Sequence, residues 1–96
     1  MEFEWDENKR WANLAKHGID LAAAARIWEG FVLEVRSSQA HHSEERLLAI
    51  GEVGSRITTV VFTWRGGKRR LISARAARRN ERKDYYDALR RSPHEG

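Results

Sequence analysis

The stretch Leu71-Ile72-Ser73-Ala74-Arg75-Ala76-Ala77-Arg78-Arg79-Asn80-Glu81-Arg82-Lys83-Asp84-Tyr85-Tyr86 decides how the chain reads. Its first residues complete a strand over 69–74. Strict alternation there puts Leu71, Ser73 and Arg75 on one face and Ile72 and Ala74 on the other. From Ala77 the period changes to 3.6, and a helix is expected over 77–91. Ala77, Glu81, Tyr85, Ala88 and Leu89 lie along one stripe of it. Arg78, Arg82 and Tyr85 recur at i, i+4 and i+7, a spacing that lets two guanidinium groups and a phenol converge. Pro93 ends the helix, and residues 93–96 read as a frayed tail.

Working outward, Arg65-Gly66-Gly67-Lys68 is a two-glycine hairpin turn. It joins that strand to an upstream one, Arg56 to Trp64, rich in β-branched and aromatic residues. Gly54-Ser55 turns back to a third strand over 44–53, and Phe31 to Val35 supplies another. Consecutive strands with short turns make an antiparallel meander. At the other end Phe3-Glu4-Trp5 alternates like an edge strand. Asp6 is a good N-cap for a helix over Glu7 to His17, with Trp11, Ala12, Leu14 and Ala15 as its apolar surface and Gly18 as its left-handed C-terminal cap. Asp20 caps a second helix, Leu21 to Trp28, which Gly30 ends. The fold class is α+β: a small antiparallel sheet of about four strands, with two N-terminal helices and one C-terminal helix. Helices cover one face and leave the other open to a ligand. Residues 1–92 form one domain.

Composition narrows the chemistry. Without cysteine there is neither a disulfide framework nor a thiolate metal site. The adjacent His41 and His42 cannot both face one metal from a strand, and His17 and His94 lack matching ligand spacing, so neither metal nor cofactor is expected. No apolar run approaches the roughly 20 residues of a membrane span, and the acidic N-terminus is unlike a signal peptide, so a cytoplasmic protein is expected. The net charge of +4 hides an asymmetry. Residues 1–64 carry seven Lys/Arg against ten Asp/Glu, whereas residues 65–91 carry eleven against three. One end of the sequence is therefore built to meet a polyanion, nucleic acid or an acidic protein.

With RNA as that partner, Arg69, Arg70, Arg75, Arg78, Arg79 and Arg82 can track phosphates through bidentate forks. Trp64, Tyr85 and Tyr86 are the aromatic side chains placed to stack bases. Cleavage without a metal would need a group to accept the proton of the ribose 2′-hydroxyl, a group to protonate the departing 5′-oxygen, and cations to stabilise charge at phosphorus. Glu45 or Glu81 can serve as base, His17 or Lys16 as acid or base, and Arg46, Arg75 and Arg82 as the clamp. The residues alone leave open a second reading, a non-catalytic basic module that only binds RNA or an acidic chain. No phosphate-binding glycine loop, zinc-finger spacing or nucleophile elbow is present.

Taken in order, Phe3-Glu4-Trp5-Asp6 with Lys9 and Asn13, Lys16-His17-Gly18-Ile19, Glu44-Glu45-Arg46 leading to Gly51, Ile72-Ser73-Ala74-Arg75, and Glu81-Arg82 with Tyr85 resemble the BrnT toxin family of type II toxin–antitoxin modules. The likeness runs from residue 3 to about 86. It implies a RelE/ParE-like toxin fold, metal-independent RNA cleavage of the mRNA interferase type that blocks translation, and a hetero-oligomer with a BrnA-like ribbon-helix-helix antitoxin, through which operator DNA is contacted indirectly. It points to Lys16, His17, Glu45, Arg46, Arg75, Glu81 and Arg82 as catalytic, without dividing their roles. Arg69, Arg70, Arg78, Arg79 and Tyr85 are the expected RNA-binding residues.

Overall fold

A computed structural model describes residues 2–37 and 44–93; the paired histidines His41 and His42 and the end of the expected tail lie outside the described residues. The elements are β1 (Phe3–Glu4), α1 (Glu7–His17), α2 (Leu21–Ala24) continuing as a 3-10 turn (Ala25–Glu29), β2 (Val32–Arg36), β3 (Leu47–Val53), β4 (Arg56–Arg65), β5 (Lys68–Ala76) and α3 (Arg79–Arg91). The capping signals work as the sequence implies. Asp6 accepts hydrogen bonds from the backbone N–H groups of Asn8 and Lys9, Gly18 closes α1 at φ +70°, and Asp20 caps α2 through the N–H of Ala22. Gly66 and Gly67, both at positive φ, make the tight β4–β5 hairpin turn.

The sheet has five strands in the order β1-β5-β4-β3-β2. β2 to β5 form the expected antiparallel meander. β1 joins as a fifth strand and runs parallel to β5, so the sheet is mixed, not purely antiparallel as expected.

Three further expectations are corrected. Strict alternation fails in β5: Val61 pairs with Ser73 and Phe62 with Leu71, so Ile72 is an extra, bulged residue. Leu71 and Ala74, three residues apart, consequently point into the same core with Leu21, Ala24, Ile27, Ala49, Val60 and Phe62. Ser73 and Arg75 face the opposite side. The second correction concerns α1, whose Trp11 and Leu14 are 58% and 38% exposed while Asn13 is buried. The reason is what α1 packs against. β1 covers only the Arg69–Arg70 part of β5's outer edge, and the Asn13 amide takes over at Ala74, donating to its C=O at 2.9 Å and accepting from its N–H at 3.0 Å. A sheet edge needs hydrogen-bonding partners, and an apolar helix face offers none.

Lastly, both faces of the sheet carry helix. α1 and α2 cover one, with the 3-10 turn so close to β3 that a Cβ on Gly51 would stand 2.8 Å from Ile27 Cβ. α3 covers one end of the other face, packing Ala77, Tyr85 and Leu89 on Ile50 and Ile57. Because α3 starts at Arg79 and stops short of the rest of that face, a hollow remains beside its N-terminus.

Candidate active site

The hollow is a cleft of about 370 Å³. Leu48, Val61 and Ser73 line it from the sheet, Lys16 and His17 from the last turn of α1, Ser37 and Arg46 from the segments flanking β2 and β3, and Arg75, Arg78 and Glu81 from the β5–α3 connection. Among the described residues, the side chains of Lys16, Arg46, Arg75 and Arg78 therefore surround one carboxylate, that of Glu81. A slightly larger hollow of about 430 Å³ lies between α1, α2 and the β3–β4 turn, but its lining is mainly apolar. Its carboxylate, Asp20, is held by Arg10 at 2.8 and 3.0 Å.

The cleft is organised by the pair formed by Arg75 and Glu81. The guanidinium of Arg75 donates from Nη1 and Nη2 to the two oxygens of Glu81 at 2.7 and 2.9 Å. Glu81 also accepts from the N–H of Arg78 at 2.8 Å and from the hydroxyl of buried Thr59 at 3.0 Å. Its position follows from local structure, since Glu81 is the third residue of α3 and reaches back to the N-cap amide, as in a capping box. The two Arg75 bonds above all, then the Arg78 amide and the Thr59 hydroxyl, hold the Glu81 carboxyl well below its ordinary value, at about 2. The same bonds raise the pKa of Arg75. Glu81 is thus ionised and engaged on both oxygens. It holds the Arg75 fork in place.

Of the residues named from sequence, the structure brings Lys16, His17, Arg46, Arg75, Arg78 and Glu81 to one cleft. The others stand elsewhere. The Glu45 side chain is 58% exposed and points toward Arg36 at 3.8 Å, while its backbone carbonyl accepts from Thr63 Oγ1. Arg82 lies on the outer surface of α3, where Nη1 donates to the C=O of Ala77 at 2.6 Å. Arg69 is sandwiched against Trp28, Phe62 and Trp64 and bonded to Glu34. Arg70 donates to Glu4 at 2.6 Å. Arg79 is exposed on α3. Tyr85 is 5% exposed, in the core against Phe31, and burial pushes its phenol pKa up. The expected convergence of Arg78, Arg82 and Tyr85 does not form, because the helix turns Tyr85 inward along the stripe that packs on the sheet.

Sequence reasoning passed over Thr59. A threonine in the middle of a β-branched strand carries no signal of its own. Only the pairing of Thr59 with Arg75 across β4 and β5 places its hydroxyl beside Glu81. Among the described residues, no three His, Cys, Asp or Glu side chains come together as a metal centre requires, and no helix is long and apolar enough to cross a membrane.

Comparisons with known proteins bear on the family and the fold. Residues 5–81 match the family described as the ribonuclease toxin, BrnT, of type II toxin–antitoxin systems. The crystal structure of the Brucella abortus ribonuclease toxin, BrnT, superposes with a TM-score of 0.60 at 34% identity, over 82% of this chain and 99% of that one. No curated protein matches the chain. With the family matched over most of its length and the fold shared with a solved member, the chain belongs to the BrnT family of ribonuclease toxins of type II toxin–antitoxin systems.

Proposed function

We propose that RNA lies across the cleft and is cut there without a metal ion. The 2′-oxygen of one ribose attacks the adjacent phosphorus, a bond forms between them, and the bond to the 5′-oxygen of the next nucleotide breaks. The 2′-hydroxyl proton must leave and the 5′-oxygen must gain one. Lys16 and His17 handle these protons. Arg75, held by Glu81, and Arg46 meet the charge that grows on the phosphoryl oxygens. Arg78 and Lys16 draw the backbone in. The observation that carries this reading is the convergence of three sequence-distant stretches, Lys16-His17, Arg46 and Arg75, on one concave surface. Among the described residues, the carboxylate that lines the cleft, Glu81, is already committed to an arginine.

Cleavage of messenger RNA in the cytoplasm would stop translation. The partner that restrains it is a BrnA-like ribbon-helix-helix antitoxin, which covers the cationic cleft and carries the operator DNA contact of a hetero-oligomer. Leaving such a surface open to cellular RNA is costly, so its neutralisation is a natural role for the partner.

The test is cleavage of a labelled RNA by wild type, Arg75→Ala, His17→Gln and Glu45→Ala, with and without a chelator. Arg75→Ala and His17→Gln are expected to lose on the order of 10²-fold or more in rate. Glu45→Ala, outside the cleft, stays within a few-fold, and the chelator has no effect. Salt-sensitive RNA binding without products, or cleavage abolished by the chelator, overturns the proposal.

A further inference from the structure

The cleft accounts for Arg78 but not for what continues beyond it. Arg79, Arg82, Lys83, Tyr86 and Arg90 fall at i, i+3, i+4, i+7 and i+11 on α3, and all five are exposed. They form a single stripe on the side of the helix turned away from the sheet. From Arg79 to Arg90 the stripe runs roughly 16 Å along the helix axis. Its first residue follows directly on Arg78, which lines the cleft.

Two features separate this stripe from an ordinary solvated helix face. Its cations are not neutralised at the end nearest the cleft: Arg79 and Arg82 have no carboxylate partner among the described residues. Lys83 and Arg90, further along, share one carboxylate, Asp87. In the middle stands Tyr86, an aromatic ring 45% exposed among charged neighbours. The ring is oriented from beneath by the buried Tyr85, edge to face at 5.3 Å and 75°. Tyr85 fills the core, and it is Tyr86 that offers a stacking surface to solvent.

We infer that this face of α3 is an extended subsite for single-stranded RNA, in which Tyr86 stacks a base of the substrate outside the cleft while Arg79 and Arg82 hold the phosphates leading to it. A positively charged track with an interleaved, pre-oriented ring is what unpaired nucleic acid recognises, since every base has a face to stack and every linkage a charge. An acidic protein segment would satisfy the arginines but gains less from the exposed ring.

The inference rests on the reading of the cleft as the site of RNA cleavage, and its test is separable from that reading. The probe is a fluorescein-labelled, fully 2′-O-methylated oligouridine long enough to span cleft and helix; it has no free 2′-hydroxyl and cannot be cut. Tyr86→Ala is expected to weaken its binding about tenfold or more, within the range found for one lost stacking contact, and Tyr86→Phe to restore it. Arg79→Gln is expected to lower the slope of log affinity against log salt by about one, as loss of one phosphate contact does. On cleavable RNA of the same length, Tyr86→Ala raises KM more than it lowers kcat. Equal binding by Tyr86→Ala and wild type overturns the subsite. Unchanged RNA binding with weakened inhibition by the antitoxin also overturns it, and assigns the stripe to the protein partner. A wild type that binds the probe through Tyr86 but cuts no RNA refutes the cleavage reading while leaving the subsite standing.

Discussion

Glu81→Gln isolates the pair that organises the cleft. Glutamine keeps the shape of the side chain and removes its charge, leaving Arg75, whose side chain is only 20% exposed, without a carboxylate. The Glu81 side chain is 9% exposed, so little of its interaction is screened by solvent. Its carboxyl sits at about 2 in the fold against an ordinary 4.5. At 1.36 kcal/mol per unit this corresponds to about 3 kcal/mol of stability at neutral pH. The folded value is lowered, so the contribution is fully present above the unfolded value and is lost as pH falls toward the folded one. The difference in unfolding free energy between wild type and Glu81→Gln should therefore be about 3 kcal/mol at pH 7, much the same at pH 5, and near 1 kcal/mol at pH 3. For a domain of this size the neutral-pH difference corresponds to a fall in Tm on the order of 10–20 °C. Urea unfolding followed by tryptophan fluorescence at the three pH values measures it. A difference that is absent at pH 7, or that does not shrink in acid, would refute the claim that the Arg75 fork holds Glu81 ionised.

Other consequences are more local. Thr59→Val should destabilise by about 1 kcal/mol and slow RNA cleavage by loosening Glu81 and hence Arg75, with Thr59→Ser restoring both; recovery by serine in paired unfolding and cleavage assays separates loss of the hydroxyl from loss of packing. Asn13→Leu, which leaves the N–H and C=O of Ala74 and the C=O of Ile19 without their side-chain partner, should cost about 2–4 kcal/mol in chemical denaturation. Early hydrogen exchange should follow at Ala74. Gly51→Ala must push the 3-10 turn away from the sheet, since the new Cβ would meet Ile27 at 2.8 Å; about 1–3 kcal/mol of destabilisation is expected, and a Tm equal to wild type would contradict that contact.

Much of this protein is written locally. The bounds of α1 follow from Asp6 and Gly18, and the β4–β5 hairpin from Gly66-Gly67, because caps and turns are decided by residues that touch one another along the chain. The motif order likewise identified the family before any contact was known. What the chain could not declare locally were relations between distant segments. The parallel docking of β1 on β5 left part of a sheet edge open. That opening turned α1 onto Asn13 and left Trp11 and Leu14 outside. The bulge at Ile72 depends on the register of β4, and it sets which side Leu71 faces. The same kind of relation sorted the arginines. Arg69 and Arg70 look identical to Arg75 in sequence, yet they are tied up by Glu34 and Glu4, while Arg75 stands in the cleft beside Glu81. The sequence by itself determined the elements, the family and the abundance of cations. Which of those cations line the cleft was decided only by the tertiary structure, because the surroundings of a guanidinium are set by the distant segments that folding brings beside it.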